Sequence, residues 1–111
     1  MEIKRGDIVL MVAPRDLGRP RPGVVVQASE LNGEFSTILI CPTTTDIQDN
    51  FPLRPLIDPS PENGLCQQSQ VMTDKMAAIR REQIRSLIGR IDAGTAEQLD
   101  RSLLVILGFA R

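Results

Sequence analysis

Two stretches decide how this chain reads: Arg21-Pro22-Gly23-Val24-Val25-Val26-Gln27 and Ser36-Thr37-Ile38-Leu39-Ile40-Cys41. Both are rich in β-branched residues, and both are bounded by breakers, so each reads as a short strand. Pro22 biases Arg21 toward extended backbone and cannot donate to a ladder, so both sit where the strand starts. The second stretch, starting near Phe35, runs out into Pro42-Thr43-Thr44-Thr45-Asp46, and Pro42 is expected to stop it. Between them, Asn32-Gly33 is a hairpin-turn signal. The reading is that the start of one strand and the end of the other lie together.

The rest of the chain is consistent with a small β fold. Ile8-Val9-Leu10-Met11-Val12 is a short apolar run, expected as a first strand buried on both faces or nearly so. Residues 13–20 hold two prolines and a glycine, which makes them a loop, and the loop carries Arg15 and Arg19. Leu53 to Ile57 reads as an edge strand because Pro52 and Pro55 border or interrupt it. Ser69 to Thr73 is another strand, and Lys75 to Ile79 either extends it or bends into a further one. Glu82 to Leu87 reads as one helical turn, and Thr43 to Asn50 as a polar, mobile segment. Asp92 is a helix N-cap, Leu99, Leu103, Ile106 and Leu107 recur at helical spacing as core, and Gly108 ends the pattern. About five strands and a closing helix fit a mainly β chain: an SH3-like small barrel with a C-terminal α-helix, or, as the alternative, an OB-type barrel.

Composition narrows the chemistry. The 111 residues suit one domain spanning 1–111. The chain is 41% hydrophobic but only 3% aromatic, so Val, Ile and Leu must fill the core. No apolar run reaches the ~18 residues of a membrane span, and Met1 to Asp7 lacks the apolar centre of a secretion signal, so the protein is expected in the cytoplasm. There is no histidine and there are two cysteines, Cys41 and Cys66. That removes the commonest general base and makes a zinc site or a disulfide framework a poor fit, so no metal and no cofactor are expected. Net charge is −1, but Arg15, Arg19 and Arg21 crowd one loop, and Arg80, Arg81 and Arg85 crowd another segment. A near-neutral total is compatible with local basic patches.

In this order the chain resembles the MazF/PemK (Kid) family of toxins from bacterial toxin–antitoxin pairs, whose fold is CcdB/PemK-like. The resemblance is carried by Lys4-Arg5-Gly6-Asp7-Ile8-Val9, Arg21-Pro22-Gly23-Val24-Val25, Pro42-Thr43-Thr44-Thr45, Asn63-Gly64-Leu65 with Ser69-Gln70-Val71, and Ile88-Gly89-Arg90-Ile91 before the closing helix. The order and spacing of these motifs give the match its specificity. The resemblance implies a homodimer that cuts single-stranded RNA (mRNA) at a short preferred sequence without a metal. It also implies a cognate antitoxin (MazE/PemI-like) whose acidic, disordered tail covers the RNA groove.

By the same resemblance, Arg21 falls on the family's catalytic arginine and Thr44, counting from Pro42, on its catalytic threonine. Asp74 falls on an aspartate that some members use as a base. Those members carry a second arginine where this chain has Met72, so the acid role of that arginine does not transfer. Arg15, Arg19, Thr43, Thr45 and Gln70 are expected to contact RNA around them. On residue type alone these positions read more plainly: Arg21, Arg15 and Arg19 as solvated charges, the threonines as strand-end β-formers and turn caps, Asp74 as a turn residue. Two other functions fit the fold. One is a gyrase-poisoning toxin of the CcdB type, but that family's ending in Trp-Gly-Ile is replaced here by Gly108-Phe109-Ala110-Arg111. The other is a peptide-binding SH3-like module, which needs an aromatic groove that a chain without Trp or Tyr can hardly build.

Overall fold

The structure, a computed structural model, describes residues 1–12 and 18–111. Among the described residues, seven strands and one long helix follow in order: β1 (Asp7–Met11), β2 (Arg21–Val25), β3 (Thr37–Thr44), β4 (Leu56–Ile57), β5 (Ser69–Val71), β6 (Ala77–Arg80), β7 (Ile84–Arg90) and α1 (Ala93–Ile106). All pairings are antiparallel, in the order β4-β5-β3-β2-β1-β7, with β6 added beside the first half of β3. The mainly β fold with a closing helix that the patterning calls for is therefore present, its antiparallel sheet curled into a half-barrel.

Alternation along β1, β2 and β3 divides the apolar residues between two cores. Val9, Met11, Val25, Ile38 and Ile40 point one way and meet Ile79 of β6 and Ile84 of β7. Those two strands lie at opposite ends of the β6-β3-β2-β1-β7 run, so their side chains meet only because the sheet curls. Ile8, Val24, Cys41 and Val71 point the other way and meet Leu99 and Leu103 of α1. Ile8, Val9 and Met11 are fully buried, which matches the expectation for the first strand. Asp92 caps α1 by accepting from the Thr95 N–H at 2.7 Å, and Gly108, at φ +84°, closes it. The apolar stripe is shorter than its spacing suggests. Leu99 and Leu103 are buried, but Ile106 is partly exposed and Leu107 is exposed, because the last turn runs past the sheet.

Four readings are corrected. Residues 84–90 form strand β7, not a helical turn. Only Arg81–Gln83 is helical, as a single 3-10 turn. The free side of β1 needs backbone partners for its buried polar groups, and pairing with β7 supplies them, overriding local propensity. Asn32-Gly33 does not make a tight hairpin. A 3-10 turn at Ser29–Leu31 precedes it, and the buried Asn32 amide bridges the Gln27 side chain and the Ile3 carbonyl, each at 2.9 Å. Pro42 does not end β3, which continues to Thr44. A proline lacks a donor but keeps its acceptor, and the Pro42 carbonyl takes the Met72 N–H at 2.8 Å. Lastly, strand structure near residue 55 is confined to Leu56–Ile57, since Leu53 and Arg54 turn toward the Thr73–Lys75 segment instead.

Candidate active site

The register of β2 on β3 brings the two deciding stretches together. Val25 pairs with Ile40, Val24 with Cys41, and Gly23 with Pro42. The Thr43 hydroxyl, donating to the Pro22 carbonyl at 3.0 Å, carries the contact one residue further. The next step outward brings Arg21 and Thr44 to the same end of the sheet. By alternation they share the face of Gly23, Val25 and Ile40, inside the curl. Both side chains are half-buried. Gly23 is required at this spot. A Cβ there would lie 2.6 Å from the Ile40 Cγ2 and 2.9 Å from the Met11 Cε, so its absence lets β2 lie close under the strand end.

Thr44 is oriented by its own turn. Its Oγ1 accepts the Asp46 N–H at 3.1 Å, so one lone pair is occupied and the hydroxyl proton is available to a ligand. Thr45 is exposed beside it, and Arg19 is exposed ahead of β2. Arg15 lies outside the described residues. Thr43 and Gln70 are less accessible than a contact surface calls for. Thr43 is buried on the opposite face, with its hydroxyl on the Pro22 carbonyl. Gln70, paired across from Thr44, is 3% exposed, and its amide clasps the Gln48 backbone, accepting from the N–H and donating to the C=O, each at 2.9 Å. That clasp is one reason the segment after Thr44, expected to be mobile, is tied to the sheet.

Asp74 is engaged by a partner of its own. It sits in the 3-10 turn Thr73–Lys75, which packs against α1, and it engages Arg54 through two parallel hydrogen bonds, Nε to Oδ1 at 2.9 Å and Nη2 to Oδ2 at 3.0 Å. The Arg54 guanidinium, by that hydrogen bonding first, holds the Asp74 carboxyl below the usual carboxylate range, and Arg54 is raised in turn. Asp74 also acts on Cys41, whose thiol is pushed up to about 12, mainly by burial in the helix-side core. Arg54 is the site residue that sequence reasoning missed. Its partner lies 20 positions away, and Arg54 falls inside the Leu53 to Ile57 run that reads as an edge strand. Among the described residues, no group of three or more His, Cys, Asp or Glu side chains gathers where a metal ion would sit, and no helix is long and apolar enough to cross a membrane.

The probable endoribonuclease MazF of Mycolicibacterium smegmatis is 34% identical over 109 residues, covering 97% of this chain and 99% of that protein. Among solved structures, the Mycobacterium tuberculosis toxin MazF-mt6 has the same fold at TM-score 0.79 and 19% identity, covering 92% of this chain and 96% of its own. A MazE-MazF crystal structure from Deinococcus radiodurans matches at TM-score 0.79 and 19% identity, covering 97% of each chain. An endoribonuclease in complex with its cognate antitoxin, from a mycobacterial species, matches at TM-score 0.76 and 17% identity over 96% of this chain and 94% of that one. Residues 4–107 match the model of the PemK-like, MazF-like toxin of type II toxin-antitoxin systems, and with the curled sheet and closing helix described above, the chain belongs to that family.

Proposed function

We propose that this chain is a sequence-selective endoribonuclease toxin that cuts single-stranded RNA without a metal, using the RNA's own 2′-hydroxyl. The observation that carries this reading is the placement of Arg21 and Thr44 on one face at one sheet end, in a chain of this family. RNA cleavage of this kind asks little of the protein. The 2′-oxygen attacks the adjacent phosphorus, the bond to the 5′-oxygen breaks, and a 2′,3′-cyclic phosphate and a 5′-hydroxyl remain. The enzyme must hold the attack in line and stabilise the charge growing on the phosphate oxygens. The Arg21 guanidinium suits that charge, because its fork matches two phosphate oxygens and it stays ionised. The Thr44 hydroxyl, already accepting from the Asp46 N–H, donates to the same phosphate. Arg19 and Thr45 are exposed on the approach and contact the flanking chain.

Three of the expected site residues change role in this reading. Thr43 and Gln70 serve as scaffolding for the strand end, since their polar groups are engaged inside the fold. Asp74 is paired with Arg54 and is a poor proton acceptor, so the 2′ proton passes to water and water supplies one proton to the leaving 5′-oxygen. The toxin acts in the cytoplasm as a homodimer spanning residues 1–111 of each chain. A cognate antitoxin with an acidic, disordered tail neutralises it by occupying the arginine-lined groove, an attraction that salt weakens. The gyrase-poison alternative gains nothing from the relatives above.

The test is incubation with a defined single-stranded transcript in EDTA, with cut ends mapped by primer extension. Cleavage at a recurring short sequence, lost in Arg21→Ala, is the expected result. Intact RNA, or an unchanged cutting pattern in Arg21→Ala, refutes the proposal.

A further inference from the structure

The segment from Thr45 to Pro55 carries no strand, yet it is fastened along its length. Gln70 clasps the Gln48 backbone, the Thr73 hydroxyl donates to the Leu53 carbonyl at 2.7 Å, and the Val71 N–H donates to the Pro55 carbonyl at 2.9 Å. Asp74 then takes Arg54 in a two-pronged grip. The Arg54 side chain is only 9% exposed, and its guanidinium carbon lies 4.5 Å from the Phe51 ring centre. Most surface ion pairs contribute little, but a bidentate pair with a sheltered, stacked arginine has the geometry that does. Asp46, two residues beyond Thr44, and Lys75 are the other charges that act on this pair.

At its near end the same segment closes on Thr44 itself, through the bond from the Asp46 N–H to Oγ1. We infer that Arg54 and Asp74 are positioning residues for the cleavage reaction: their pairing anchors the 45–55 segment and thereby keeps the Thr44 hydroxyl aimed at the scissile phosphate. The inference rests on the endoribonuclease reading and adds to it a pair of residues that touch no RNA. It also gives Asp74 a function through Arg54 in place of its own proton chemistry.

A kinetic double-mutant cycle in EDTA tests this, using Arg54→Gln, Asp74→Asn and the double variant, with melting temperatures measured alongside. Each single variant is expected to lower kcat by about 10- to 100-fold with KM nearly unchanged. The double variant should be no slower than the worse single one, because either change breaks the same link. Arg54→Lys, which keeps the charge and loses the fork, should fall between wild type and Arg54→Gln. The pH–rate profile of Asp74→Asn should keep the shape of the wild-type profile. Cleavage abolished by Asp74→Asn but untouched by Arg54→Gln would overturn the inference and make Asp74 a base. Full kcat in both variants with only the melting temperature lowered would overturn it as well, leaving a purely structural pair. Either result, where Arg21→Ala still abolishes cutting, sinks this inference alone. A wild-type protein that leaves RNA intact sinks the parent reading with it.

Discussion

Thr44→Val isolates one atom of the proposed chemistry. Valine is nearly isosteric with threonine and is a good strand former, so the end of β3 should keep its path. Two hydrogen bonds are lost. One is the internal bond from the Asp46 N–H, at a solvent-exposed turn, whose loss costs about 0.5–1.5 kcal/mol of stability. For a domain of this size that is a fall of roughly 2–6 °C in Tm. The other is the bond the hydroxyl donates to the phosphate. A hydrogen bond to a charged group is worth about 1.5–3 kcal/mol, which corresponds to about a 10- to 150-fold drop in kcat. The two effects are read separately. Single-turnover cleavage of an oligoribonucleotide gives the rate, and thermal unfolding gives the stability. Thr44→Ser, which keeps the oxygen, should recover most of the rate. Wild-type kcat in Thr44→Val would show that the alcohol takes no part, and the pairing of Arg21 with Thr44 as a reaction centre would have to be abandoned.

Three further outcomes are expected. Alkylation of the folded protein at pH 8 should modify Cys66 and spare Cys41, because Cys66 is exposed while burial pushes the Cys41 thiol up to about 12; intact-mass analysis showing two adducts without unfolding would contradict this. Asp74→Asn should lower Tm at neutral pH, by an amount that shrinks as the pH falls below about 4. A carboxylate whose folded pKa is depressed contributes stability above its unfolded value, near 4, and loses it as pH falls through the folded value, so the two melting curves should converge in acid; a constant gap down to pH 3 would rule out the Arg54 pair as its cause. Gly89→Ala should destabilise by roughly 1–3 kcal/mol in denaturant titration, since a Cβ there meets the Asn63 carbonyl carbon at 2.4 Å and the Glu62 oxygen at 2.5 Å, and backbone cannot swing aside; an unchanged midpoint would mean that the two segments are less tightly held than they look.

Elements whose own residues dictate them were legible in the sequence. The β1 and β2 runs and the Asp92 cap depend on patterning and local hydrogen bonding, and they appear where they were read. What misled was context. Residues 84–90 carry a mixed pattern, and only the unpaired side of β1 makes them a strand. Asn32-Gly33 has the composition of a tight turn, but the Asn32 amide is needed inside the fold. The candidate site divides the same way. Arg21 and Thr44 are singled out only by the motifs that carry the family resemblance, since on residue type alone they read as a solvated charge and a strand-end β-former; the register that brings them to one sheet end follows from the two strands being neighbours. Arg54 had no such signal, because its meaning lies in a partner across the fold and in the Phe51 ring beneath it.

The motifs that carry the family resemblance differ in what they do. Lys4-Arg5-Gly6-Asp7 is a joint: the Asp7 carboxylate accepts from the Lys4 N–H at 2.8 Å and from the Arg90 Nη1 at 2.6 Å, tying the start of β1 to the end of β7. Asn63-Gly64 and Ile88-Gly89-Arg90 form a second joint, packed so closely that a Cβ on Gly64 would fall 2.2 Å from the Ile88 carbonyl oxygen. Only Arg21-Pro22-Gly23 and Pro42-Thr43-Thr44 lie at the proposed reaction centre. This division follows from the chemistry. RNA brings its own nucleophile, so the protein need supply only a fixed positive fork and an aligned alcohol, and two short stretches can hold both. Their alignment is the harder part. It depends on a thin, curled sheet that keeps two strand ends in register, and on the fastened 45–55 segment that keeps the alcohol from turning away. On the proposed function, exposed positions such as Arg19 and Thr45 can vary to change RNA preference while the joints are retained, whereas loosening either joint would misalign the strand ends proposed to do the cutting.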